Sequence, residues 1–148
     1  MSRPCIPVQL AADVLADAGH RCGYCRTDER LTGSLLSIEH ILPVSAGGAT
    51  ERANLWRSCR ECNERKGAQV AAIDPESHQR VTLFNPRTQS WIEHFRWSDD
   101  GLLIVGLTPT GRATIVALDL NRAHQVVARQ RWMIVGWHPP DDMETDRP

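Results

Sequence analysis

The chain has 148 residues and a formal net charge of −1, a size that suits one domain or a small domain with a companion module. Its apolar share of 41% is ordinary for a globular protein, and no run approaches the ~20 apolar residues needed to span a bilayer. The opening MSRPCIPVQL has no signal-peptide core. The expectation is therefore a cytoplasmic protein with no membrane partner, in a compartment where thiols stay reduced.

In chain order, VQLAADVLADAGH repeats apolar residues at helical spacing, with Val8, Ala11 or Ala12, Leu15 and Ala18 on one face. Gly19 stands where a C-cap glycine belongs. CGYC follows at once, and Thr32, Gly33 and Ser34 supply a turn. SIEHILPV reads as a short strand built on Ile38, Ile41, Leu42 and Val44 and ended by Pro43, with Glu39 and His40 interrupting it side by side. Neighbouring strand residues point to opposite faces, so Glu39 and His40 reach one small ion only where the strand bends or stops. SAGGAT is a loop whose Gly47 and Gly48 permit positive φ. NLWRSC is a second short strand, and RECNERKGA a helix that begins at a second cysteine pair.

Residues 68–80 show turn chemistry without periodicity and read as a connector. Beyond them SWIEHFRWS alternates as a strand, DDG turns, and LLIVGLT returns as the partner strand of a hairpin. Thr108 before Pro109 starts a helix, with Ala113, Val116, Ala117 and Leu120 on one face. NRAHQVVARQRWMIVGW is a final helix capped by Asn121, and HPPDDMETDRP is expected to fray. Trp91, Trp97, Trp132 and Trp137 are expected in the core of this α+β unit rather than as stacking platforms for bases.

Cysteine spacing carries the first chemical signal. Cys22/Cys25 and Cys59/Cys62 are two C-x-x-C pairs, and Cys5 is left over. Four thiolates satisfy a tetrahedral Zn²⁺. Two disulfides would need an oxidising compartment, a C-x-x-C redox site would need a thioredoxin-like βαβ context that is missing here, and four merely buried cysteines are the remaining alternative. Residues 26–58 separate the pairs, more than the usual ribbon spacing of about 15–20 residues. Glu39 and His40 lie in that insert.

The ordered set CGYC, IEHILPVSAGG and NLWRSCRECNERK resembles the HNH endonuclease family, over about residues 20–67. The resemblance implies an α+β fold: a ββα-metal core stabilised by a four-cysteine zinc site of Cys22, Cys25, Cys59 and Cys62. Residues 1–75 would hold the amino-terminal helix and this core, and residues 76–148 a carboxy-terminal hairpin-plus-helices extension of unassigned role. It implies an enzyme, a metal-dependent endonuclease that hydrolyses DNA phosphodiesters. His40 would be the general base, and Asn54 would hold the loop that orients it. Glu39 and Asn63 would ligate a catalytic divalent metal, Mg²⁺ first, with Mn²⁺ or Ni²⁺ as alternatives. Asn63 stands where other members carry His, and Glu39 where Asp is also common.

The chemistry suits those roles. A hard cation on oxygen ligands neutralises charge that builds as water attacks a phosphodiester, and an imidazole of ordinary pKa is neutral at pH 7. Arg57, Arg60, Arg65 and Lys66 surround the second cysteine pair and are candidates for phosphate contact. The competing expectations are a non-catalytic zinc-stabilised DNA- or protein-binding module, and an adaptor with no nucleic-acid affinity. Monomer and homodimer are both open.

Overall fold

A computed structural model describes residues 4–141. The chain divides into two compact units. Among the described residues, the first runs to Val70 and takes in Asn85–Arg87; the second takes Ala71–Phe84 and the chain from Thr88 onward.

In the first unit, helix α1 spans Val8–Ala18 and stops at Gly19, whose φ of 67° and backbone N–H to Leu15 close the helix. Its buried side chain is Val14, while Val8 and Leu15 face outward. The expected stripe is therefore displaced around the helix axis. Helix α2, Glu29–Thr32, begins at Asp28, whose carboxylate accepts the Arg30 N–H. Strand β1, Ser37–His40, pairs antiparallel with β2, Leu55–Ser58, with Glu39 opposite Trp56 and His40 opposite Leu55. Helix α3, Arg60–Lys66, follows β2 through Cys59. Thus β1, β2 and α3 form a ββα unit, and β1 ends at His40. Gly23 sits against the Trp56 indole and Pro86, where a Cβ would collide with both. Arg87 returns to this unit, its guanidinium 4.9 Å from the Trp56 ring centre and its Nε donating to the Leu55 carbonyl.

Among the described residues, the second unit holds two hairpins and three helices. Strands β3, Ala71–Ile73, and β4, Arg80–Thr82, pair antiparallel. The residues expected to be a connector are this hairpin. Its turn is held by Asp74, buried and bound bidentately by Arg112 at 2.9 Å, a partner 38 residues away that local pattern does not reveal. SWIEHFRWS is also corrected. Trp91–His94 form helix α4 and only Phe95–Trp97 form strand β5, so Trp91 and Phe95 both bury in one aromatic core. β5 pairs with β6, Ile104–Gly106, as the expected hairpin.

Helix α5, Pro109–Leu118, starts at Thr108, whose hydroxyl accepts the Gly111 N–H. It buries Gly111, Ala113, Thr114 and Leu118, and Val116 is exposed. Helix α6, Ala123–Ile134, has Arg122 at its N-cap. Asn121 instead bonds both the N–H and the carbonyl of Ile104. Of the four tryptophans expected inside, Trp91 is buried, Trp97 and Trp132 are half-buried, and Trp137 is exposed. Part of the frayed tail expected from 138 to 148 lies outside the described residues; within them, His138 is buried and its Nε2 lies 2.8 Å from the Gly101 carbonyl. Among the described residues no helix is long and apolar enough to cross a membrane.

Candidate active site and metal centre

The four paired cysteines converge. Their sulfurs lie within 4.8 Å of one another, although residues 26–58 separate the pairs. The first knuckle is closed by backbone bonds from Arg26 to Cys22 and from Cys22 to Thr27, with Arg26 in the left-handed region at φ 64°. The second knuckle doubles as the start of α3, where the Cys59 sulfur accepts the Cys62 N–H. Burial pushes the Cys22 thiol well above its usual range. A doubly charged cation that accepts soft ligands offsets that cost by holding all four as thiolates, and the clustered set fits Zn²⁺. Cys5 is exposed and apart.

Glu39 and His40 occupy the end of β1 and alternate in burial, as period two requires. Glu39 is 3% exposed. Its Oε1 accepts the Tyr24 hydroxyl, and its Oε2 is buried with no hydrogen bond. Burial drives its pKa up to about 7, against the opposing pull of Lys66 and of the Tyr24 bond. An oxygen without a donor in a buried place suits a cation, and Asn63, half-buried on α3 beside Cys62, offers an amide oxygen. Carboxylate and amide oxygens are the donor class that a hard divalent ion takes.

His40 is half-buried, and its Nε2 lies 2.8 Å from the Thr50 hydroxyl. Burial first, and then the Lys66 charge, lowers its pKa from the usual 6.5. The loop after His40 is pinned by Asn54. Its Oδ1 accepts the Leu42 N–H at 2.8 Å, and its Nδ2 donates to the carbonyls of Leu42 and Ala49. Its own carbonyl accepts the Ile41 N–H. Gly48 completes the loop, since a Cβ there would strike the Leu42 carbonyl.

The four basic candidates separate. Arg60 and Arg65 are exposed on α3, Arg60 bonded to Glu64 at 2.8 Å. Arg57 is corrected as a surface contact. It is buried, gripping Glu29 at 2.8 Å and the Gly19 carbonyl at 2.7 Å, and it holds the Glu29 carboxyl down at about 2. Lys66 is corrected likewise. It is 2% exposed, donates to the Ile41 and His40 carbonyls, and sits 3.8 Å from Glu39 Oε2. Charge pattern along a helix or strand puts both on the surface, because it does not reveal a buried acid elsewhere. Arg26 is buried too, and Arg30 is turned onto Asp28. Sequence reasoning misses Tyr24 and Glu29. Tyr24 carries one signal: it is the single tyrosine in the chain and stands between two cysteines.

Residues 22–79 match a family model described as HNH endonuclease. Protein ea31 of Escherichia phage lambda is 34% identical over 71 residues, which cover 47% of this chain and 22% of that protein. The match thus spans about a fifth of the relative's length.

Proposed function

We propose, from the premise that residues 22–79 are an HNH endonuclease domain, that the protein hydrolyses DNA phosphodiester bonds with a divalent metal and a histidine base. The observation that carries this reading is Glu39 Oε2, a buried oxygen with no hydrogen bond, one residue from His40. Glu39 and Asn63 hold the catalytic ion, Mg²⁺ in the first instance. When bound, it supplies positive charge against the phosphate and its leaving oxygen. His40 takes the proton from the attacking water, and its lowered pKa keeps the ring neutral at pH 7. Asn54 fixes the loop that follows His40. Cys22, Cys25, Cys59 and Cys62 hold a structural Zn²⁺ that joins α3 to the first knuckle. Arg60 and Arg65 contact backbone phosphates. The protein works in the cytoplasm, where DNA and reduced thiols are both present.

A second reading is a zinc-stabilised binding module without catalysis. The Lys66 ammonium favours it, standing 3.8 Å from the same Oε2 where an incoming cation must go. A supercoiled-plasmid assay separates the two. Wild-type protein with Mg²⁺ or Mn²⁺ converts supercoiled DNA to nicked or linear product. His40→Ala, with zinc content unchanged, loses about 100-fold or more in rate, the usual worth of a general base. Equal rates, or no product from either protein while DNA is still bound, support the binding module.

A further inference from the structure

The Tyr24 hydroxyl joins the two metal sites. Tyr24 is fully buried, lies between Cys22 and Cys25, and donates to Glu39 Oε1 from 15 residues away. Glutamate has one more rotatable bond than aspartate, so a Glu at a ligand position needs something to fix its carboxylate before an ion arrives. Tyr24 does this from a rigid place. The knuckle that carries it is closed by its own backbone bonds, and the Gly23 N–H binds the Arg57 carbonyl of β2. One carboxylate oxygen is thereby engaged, and the other, Oε2, is left without a hydrogen bond, with the Lys66 ammonium 3.8 Å away as its charge partner.

We propose that Tyr24 is a positioning residue for the catalytic metal: its hydroxyl holds Oε1 of Glu39 and so presents Oε2 as the metal-facing oxygen. This rests on the reading of Glu39 as a ligand. It also couples the cysteine knuckle to the catalytic site, because Tyr24 stands between two of the four clustered cysteines. Outer partners of this kind orient metal ligands, and losing one costs about 10–100-fold in metal affinity.

The test measures Mn²⁺ binding to zinc-loaded full-length protein by electron paramagnetic resonance, for wild type, Tyr24→Phe and Glu39→Gln. The expected result is one zinc kept in each, Mn²⁺ binding weakened about 10–100-fold in Tyr24→Phe and lost in Glu39→Gln. Nicking by Tyr24→Phe then recovers at high metal concentration. If Glu39→Gln loses Mn²⁺ and Tyr24→Phe binds it like wild type, the positioning role is overturned and the ligand assignment stands. If Glu39→Gln also binds like wild type, both fall.

A second measurement leaves the native contact in place. Tyr24 is the single tyrosine, so 3-fluorotyrosine gives one fluorine resonance. Mg²⁺ shifts that resonance saturably in wild type and leaves it in place in Glu39→Gln. A resonance indifferent to Mg²⁺ in the otherwise native chain overturns the proposal, whatever Tyr24→Phe does to folding.

Discussion

Asn54 commits its entire side-chain amide to the loop after His40, accepting from Leu42 and donating to Leu42 and Ala49. An alanine there leaves three backbone groups to find water, and because the loop is partly exposed the cost is modest, about 1–2 kcal/mol. The kinetic cost is expected to be larger than the thermal one, because the loop fixes the backbone leaving His40. Asn54→Ala should lower plasmid nicking about tenfold or more while a melting curve shifts by only a few degrees. A fall in melting temperature with unchanged nicking would place Asn54 outside the site's function. At this scale the sequence discloses residues whose partners are close in the chain or whose spacing is fixed by an ion. Cys22, Cys25, Cys59 and Cys62 are legible for that reason. Arg57 and Lys66 are not, because their partners, Glu29 and the Ile41 carbonyl, lie 28 and 25 residues away.

Helix α3 has only seven residues, Arg60–Lys66, far below the length at which an isolated helix holds in water. It begins at Cys59 and buries Cys62 and Lys66, so its order depends on what gathers the sulfurs. Removing zinc with a strong chelator should melt α3 and the β1–β2 hairpin it rests on, seen as loss of helical circular dichroism, and returning zinc should restore it. A spectrum unchanged after the metal has been stripped and quantified would show that packing alone suffices. Elements with a strong local signature are legible: α1 with its closing glycine, α5 with Thr108 and Pro109, the β5–β6 hairpin around its turn. The β3–β4 hairpin is not, since each strand has three residues and its turn is fixed by Arg112 from another helix. The alternation in SWIEHFRWS misleads because a single helical turn followed by a strand keeps Trp91 and Phe95 on the buried side by a different route.

Across the first unit, one carboxylate ties together distant parts of the chain. Asp17 at the end of α1 binds Arg52 at 2.7 Å and Arg87 at 3.0 Å. The Arg52 hydrogen bond, the largest influence, holds its pKa down at about 2 from the usual 3.8. The folded form therefore keeps Asp17 charged where the unfolded chain has begun to bind a proton. Its contribution is fully present above pH 3.8 and is lost as pH falls from there toward 2. Asp17→Asn should lower the melting temperature at neutral pH and narrow its gap from wild type across that acid window. A gap constant with pH would remove the ion pairs from the account. Arg87 has a further consequence, for the order in which the protein is made. The family match ends at residue 79, yet Asn85–Arg87 belong to the first unit, where Arg87 covers Trp56 and meets Asp17. A nascent chain that has just released residue 79 from the ribosome has every proposed catalytic residue and all four sulfurs outside, but not the arginine that closes over Trp56. The first unit gains these contacts only after translation has moved past the end of the family match.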